Sequence, residues 1–448
     1  MRVAVVGTGW GIQVQVPAYR YAGFAITALW ARTEAKAQAV ARDAGIPFGA
    51  LLAAVGGAAR PVLTAHRRSR CDLHDLTATS DFGALLARDD VDVVLITTPP
   101  PTHRELLQRA IAAGKHVVCE KPTALSEDEA WAMHAASEAY HAAPTAGPRL
   151  HLIDHELRFL PTVQRMRELL RAGYCGNLFY LRLNINSPRM LKDRVRAQAG
   201  DMLCEDSAAL TLVRLLQVVS TPPLPQEFTW WSEREQGGGV LGAVGSHLID
   251  LVAFVTGERA ASISARLCTH LPTRNATVTT STGETRQEPR TVTSDDMAHF
   301  KLENPSGLVS YVHISFVDPA PLVHKIEALG SRGRLTILGN TLRGAQLPSL
   351  DDEPLVTNEE VDHPNLKGPF QTGTVRLAEA LYAALAYNDT RALWPAAYIA
   401  DGLYVQAVMD AARRSNDKRA WEPVPARVLE LVRERDRARF GSGPATAV

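Results

Sequence analysis

Apolar and polar positions follow two rhythms along the first third of the chain. Short runs, Arg2–Val6, Ala25–Trp30, Val91–Ile96, His116–Cys119 and Leu150–Ile153, are almost continuously apolar, as in strands buried on both faces. Between them the spacing lengthens to that of helices, in a segment reaching Tyr21 and in Thr33–Asp43, Thr102–Ala113 and Ser126–Tyr140. Thr33 and Ser126 stand where N-caps belong, and Gly45 and Gly114 where helices stop. Strands alternating with helices of this length predict βαβ units around a parallel sheet. Residues 50–75, rich in Ala, Gly, Pro and Arg, interrupt the pattern and read as a surface insertion.

Beyond about residue 155 the rhythm changes. Helical spacing over Thr162–Ala172 and Gly245–Thr256 flanks a strand at Leu178–Asn186 and an illegible stretch at 188–227. Strand patterns then recur near 262–268, 297–304, 307–317, 323–329 and 333–338. Asn304-Pro305-Ser306-Gly307 and Gly330-Ser331-Arg332-Gly333 lie between them, which is the turn chemistry of an antiparallel meander. Residues 270–294, heavy in Thr, read as a long or disordered hairpin loop. Thr374–Ala386 and Pro395–Arg414 read as amphipathic helices. The division that follows is 1–154, with a parallel sheet, and 155–448, with a mainly antiparallel one and insertions at 188–227 and 270–294.

Charge narrows the choice of partner. Lys+Arg and Asp+Glu are both 48, so the chain has no electrostatic bias toward nucleic acid or an anionic membrane. The basic run His66–Arg70 reads as a solvated loop. No run of about 18 apolar residues is expected to cross a membrane. Five scattered cysteines without a C-x-x-C pair argue against a disulfide framework or zinc ribbon and predict a reducing, cytoplasmic setting. No metal site is expected. A small-molecule substrate remains the expected partner.

The first chemistry stands in VAVVGTGWGIQVQ, residues 3–15. A strand, a glycine turn and a helix in that order are the context of a dinucleotide-binding loop. Gly7 permits the tight turn and Gly9 lets the backbone approach a pyrophosphate, which the helix N-terminus then attracts. The sixth position of the G-x-G-x-x-G pattern is Ile12, and Gly11, one place earlier, is expected to relieve the same crowding. Trp10 completes the loop. At the tip of the second strand no carboxylate is present to bind a ribose 2′-hydroxyl; Arg32, Thr33 and Lys36 suit a 2′-phosphate instead. The expected cofactor is NADP, with NAD as the alternative.

Three further stretches are ITTPPPTHREL (96–106), AGKHVVCEKP (113–122) and GGGVLGAVGSHLIDLVAF (237–254). With the glycine loop, and with HELRFLP (155–161) and SDDMAHFKLENPSGLVS (294–310), they resemble the glucose–fructose oxidoreductase/inositol dehydrogenase (Gfo/Idh/MocA) family. The resemblance implies a Rossmann domain, a doubly wound parallel sheet, followed by an α+β domain on an open, mainly antiparallel sheet. It implies NAD(P)-dependent oxidation or reduction of a sugar, polyol or related molecule. It places a catalytic lysine at Lys121 and a general acid–base at His247, with an imidazole near neutrality serving both directions. Glu120 is expected to orient the lysine or contact the ribose. Thr98, Pro99 and His103 are expected at the cofactor, His103 beside the nicotinamide.

One departure stands out. The family often carries Asp four residues before that histidine, where this chain has Ala243. Ionisable residues of Asp154–Arg158 are candidates to fill the gap, and Arg158 and Asp250 are expected to face the substrate. The alternative to an enzyme is a non-catalytic NADP-binding sensor or scaffold of the same fold; a glycosidase using tightly held NAD is a more distant one. The resemblance also implies a homodimer, or a higher homo-oligomer, through the second sheet, which a sedimentation mass would test.

Overall fold

The computed structural model describes residues 1–43, 77–144, 147–188, 190, 227–279, 284–319, 322–349 and 351–440. The expected insertion at 50–75 and nearly all of 188–227 lie outside them. The first sheet is built from β1 (Arg2–Val6), β2 (Ala25–Trp30), β3 (Thr77–Thr79), β4 (Val93–Ile96), β5 (His116–Cys119) and β6 (His151–Ile153). All pair in parallel, in the order β6-β5-β4-β1-β2-β3. Val3 to Val6 and Val93 to Ile96 are fully enclosed because helices cover both faces. Those helices are α1 (Val16–Tyr21), α2 (Glu34–Asp43), α3 (Phe82–Leu86), α4 (His103–Ala112) and α5 (Glu127–Ala142). Ser126 caps α5 by accepting from the Glu129 N–H.

Past α6 (Pro161–Arg171), the second sheet begins with β7 (Leu178–Asn186). A π-turn over Leu241–Gly245 leads into α7 (Ser246–Thr256), whose residues are all buried. Then follow β8 (Ser262–Cys268), β9 (Thr273–Thr279), β10 (Thr285–Thr291), β11 (Met297–Glu303), β12 (Val309–Ser315), β13 (Val323–Gly330), β14 (Gly333–Leu338), β15 (Thr341–Gln346) and β16 (Glu353–Thr357). In this sheet only β7 and β12 pair in parallel. Its inward positions, such as Leu181, Leu183, Ile185, Phe300, Leu302 and Ile326, join Leu248, Leu251 and Val252 of α7 in one core. The Thr-rich stretch expected as a loop forms strands: β9 and β10 pair in register from Thr273↔Thr291 to Thr279↔Thr285. Both of their faces are largely exposed, so no apolar alternation marks them.

The chain then returns. Helix α8 (Pro369–Ala386) packs on α1, and Ala397–Tyr398, β17, adds antiparallel to the β6 edge of the first sheet. Helix α9 (Ile399–Lys418) lies across β8 and α5, Glu422–Pro423 forms β18 beside β8, and α10 (Ala426–Phe440) completes the described chain. The 23-residue run Arg234–Thr256 is long and apolar enough, by composition alone, to cross a membrane, and its apolar window is wholly buried inside the protein. It is the helix around which the second core packs.

Candidate functional site

The glycine loop is shaped by what its side chains would strike. Gly7 has φ +127° and a Cβ there would stand 2.8 Å from the Thr97 carbonyl oxygen. Both facts require glycine. A Cβ at Gly11 would stand 2.9 Å from Val5 and closer still to the Thr97 hydroxyl, so Gly11 does what the sixth-position glycine does elsewhere. The helix accommodates the shift with a π-turn over Gly11–Gln15. One extra residue in that turn offsets a glycine that comes one residue early. Gly9 is the opposite case, with nothing within 4 Å of its would-be Cβ. Open space there, beside a helix N-terminus, fits a dinucleotide pyrophosphate. Trp10 and Ile12, expected at the cofactor, pack elsewhere: Trp10 against Val14, Val361, Leu366 and Val375, and Ile12 into the layer holding Val3 and Val5. Arg32, Thr33 and Lys36 are exposed at the tip of β2, where Thr33 accepts from the Lys36 N–H at 3.3 Å.

At the far end of β5 stands Lys121. Its Nζ donates to the Ala243 carbonyl oxygen at 2.9 Å, which ties the first sheet to the π-turn before α7. Glu120 points into the protein. Gln15 Nε2 donates to Glu120 Oε1 at 2.7 Å and to Asp154 Oδ2 at 2.8 Å. Burial raises both acids, and each carboxyl accepts from the same Gln15 amide. Gln15, on the π-turn that follows the glycine loop, thus connects the loop to the residue preceding Lys121. The ribose contact expected of Glu120 is not its role in this geometry.

His103 is also corrected. Its ring is fully buried, with Nε2 2.7 Å from the Thr98 carbonyl oxygen and Nδ1 3.0 Å from that of Pro122. Burial lowers its pKa against the pull of the Thr98, Pro122 and Thr123 backbone. A neutral ring donates to one of these carbonyls at a time, and its enclosed position between them joins the loop holding Thr98 and Pro99 to the one holding Lys121. The same holds for Arg158 and Asp250. Arg158 grips Asp250 through Nε (2.7 Å) and Nη2 (2.5 Å), reaches Asp401 at 3.1 Å, and stacks on Phe254. Arg259 continues the chain to Asp401 and Asp436. Neither Arg158 nor Asp250 is available to a substrate.

His247, in the first turn of α7, is where expected and not in the state expected. The ring is buried, and burial, with Lys121, His155 and His324 nearby, holds its pKa well below neutrality. It is a neutral imidazole with neither nitrogen hydrogen-bonded. Glu156 Oε2 lies 3.7 Å from Nδ1. His155 meets the ring edge-on at 5.7 Å, and Phe370 covers it at 5.2 Å. Four residues escaped the sequence reading: Gln15, beside Glu120 and Asp154; His324 and Phe370, beside His247; and Gln371, next in the chain to Phe370. His324 is an inward residue of β13, lowered to about 4 by burial and without a partner on either nitrogen. Gln371 is likewise buried with both amide atoms unpartnered. A histidine within an apolar alternation was the one available signal for His324.

Comparison with known proteins follows this geometry. A family model described as "Oxidoreductase family, NAD-binding Rossmann fold" matches residues 1–147, and one described as "GFO/IDH/MocA C-terminal domain" matches residues 206–336. The glucose-fructose oxidoreductase domain-containing protein 2 of Xenopus laevis is 30% identical, over 94% of this chain and 93% of its own. The domain-containing protein 1 of Mus musculus is 27% identical, over 94% and 92%. Among solved structures, levoglucosan dehydrogenase with NADH and levoglucosan superposes with a TM-score of 0.66 at 19% identity, covering 95% of this chain and 99% of that one. A super-repressor mutant of Gal80p from Saccharomyces cerevisiae superposes with a TM-score of 0.64 at 15% identity, covering 96% and 99%. At these identities the structural matches establish the fold.

Proposed function

The chain belongs to the Gfo/Idh/MocA oxidoreductase family, and from that premise we propose that it is an NADP(H)-dependent enzyme acting on a CH–OH or carbonyl carbon of a sugar, polyol or related small molecule. The observation that carries this reading is the meeting of Lys121 and His247 beyond the strand ends of the first sheet, on the side of the glycine loop. Ligands of doubly wound sheets bind there. Lys121 is a cation that hydrogen-bonds a substrate oxygen and favours its alkoxide character; His247, neutral at rest, receives the hydroxyl proton. When bound, the nicotinamide supplies the hydride acceptor or donor. That levoglucosan dehydrogenase, a protein of this fold, is seen with NADH and a sugar supports the substrate class. NADP is favoured over NAD by Arg32, Thr33 and Lys36 and by Ala31 where a carboxylate would stand.

Titration of the full chain with NADPH and NADH, followed by tryptophan quenching, tests the cofactor. NADPH is expected to bind more tightly, and Arg32→Ala to erase about tenfold of that preference, roughly one charged hydrogen bond. A preference for NADH would overturn the 2′-phosphate reading. Lys121→Ala is expected to abolish turnover of whichever substrate a sugar and carbonyl panel identifies; full retained rate would overturn the catalytic one. A second reading, a cofactor-binding sensor, draws on Ala243 and on the sealed ring of His247. It requires cofactor binding without turnover across the panel.

A further inference from the structure

Two buried polar atoms face one another without a hydrogen-bond partner. Glu156 Oε2 and His247 Nδ1 are 3.7 Å apart, and neither they nor His247 Nε2 are hydrogen-bonded among the described residues. They arrive on different elements, Glu156 on the 3₁₀ turn Glu156–Phe159 after β6 and His247 on α7. A third element leaves room for Glu156. A Cβ at Gly373 of α8 would stand 2.6 Å from the Glu156 carbonyl oxygen and 3.0 Å from its Cγ, so this glycine leaves the space that Glu156 fills. The separation is longer than a hydrogen bond and within reach of a small ring rotation.

The surroundings push the proton affinities of the two groups toward each other. Burial pushes the Glu156 carboxyl well above its ordinary range, with Lys121 pulling it down and Glu120 and Asp250 pushing it further up. Burial, Lys121, His155 and His324 push His247 down. Glu120 and Asp154 are engaged by Gln15, and Asp250 by Arg158. In a hydrolase triad the carboxylate stays ionised and the imidazolium keeps the proton. Here burial favours the neutral form of both groups.

We propose that Glu156 is the terminal acceptor of the substrate's hydroxyl proton, with His247 as the carrier between them. The proposal rests on the oxidoreductase reading. In the oxidative direction the substrate O–H breaks as Nε2–H forms, and Nδ1–H breaks as the Glu156 O–H forms. The hydride leaves carbon for the oxidised nicotinamide. The imidazole is neutral before and after, with its tautomer exchanged. Ala243, four residues before His247, offers the ring no carboxylate, so the relay exits toward a different element.

The test has a readout that needs neither cofactor nor substrate. In the full chain with ¹⁵N-labelled histidine, His247, assigned through His247→Asn, is expected to change tautomer with pH while staying neutral. Nε2–H at low pH gives way to Nδ1–H as Glu156 ionises. Glu156→Gln is expected to abolish that change; the same titration in wild type and variant would overturn the proposal. Kinetically, Glu156→Gln is expected to slow oxidation about 10²-fold and to remove the limb in which rate rises with pH. It should leave cofactor affinity unchanged, and Glu156→Asp should recover part of the rate. If the chain binds no nicotinamide cofactor the oxidoreductase reading fails, and the tautomer measurement still decides the Glu156–His247 pair.

Discussion

At the residue scale, Phe370 decides who meets His247. Its ring lies 5.2 Å from that of His247 and 6.5 Å from that of His324, and it is half-buried at the start of α8. Both imidazoles are kept neutral by the apolar surroundings it helps to make. Phe370→Ala is therefore expected to move His247 up toward ordinary histidine behaviour. Carbethoxylation of His247, followed by mass spectrometry, should become several-fold faster, and an unchanged rate would place the seal elsewhere. Gly7 and Gly11 show the opposite kind of residue, valued for what it lacks: each abuts Thr97, on the loop after β4.

At the element scale, the helix bearing His247 is set by a carboxylate that no local pattern announces. Asp295 accepts from the Leu241 N–H at 2.7 Å, its own carbonyl accepts from Val240, and Gly239 has no side chain because Asp295 fills that space. Its carboxylate caps the π-turn from which α7 grows. Burial pushes Asp295 up to about 6. A raised acid contributes stability that is present below its unfolded pKa, near 4, and lost as pH rises through about 6. Asp295→Asn keeps an acceptor for Leu241 and removes this titration. Its stability relative to wild type is therefore expected to improve from pH 4 to pH 7 in chemical unfolding, and a pH-independent difference would exclude the assignment. The elements themselves were legible wherever burial was two-sided or alternating. Val93–Ile96 and His116–Cys119 read as strands because both faces are covered, and β11 to β14 because one is. Strands β9 and β10 were not, since exposure on both faces leaves no pattern to read. Lys121 and His247 stood in recognisable motifs. Glu156 lay within the ionisable run Asp154–Arg158, while His324 and Phe370 reach His247 from separate elements that only folding brings together.

At the scale of the whole molecule, charge is spent on joining the parts. Asp250, Arg158, Asp401, Arg259 and Asp436 form one chain of ion pairs linking the turn after β6 to α7, α9 and α10. Arg158 is 3% exposed and its partner Asp250 1%. Removing one member of such a buried pair leaves the other uncompensated, which costs about 3–5 kcal/mol. Arg158→Ala is expected to lower stability by that order and to reduce soluble yield, without a separate effect on the affinity of folded enzyme for substrate. A variant with wild-type melting temperature but weakened substrate affinity would restore Arg158 to the substrate.

The two-residue strand β17 carries a consequence for engineering. The chain leaves the first sheet at residue 153, builds all of the second sheet but its edge strand β18, and comes back to lay Ala397–Tyr398 along the β6 edge, having first set α8 against α1. The cofactor half is thus discontinuous in sequence. A chimaera made by cutting near residue 154 would strand an open strand edge and an uncovered helix face on one side, and an orphaned α8 on the other. Exchanging the nucleotide-binding half with that of a relative requires three joins, near residue 154, before Pro369 and after Tyr398, with the segment between the last two travelling along.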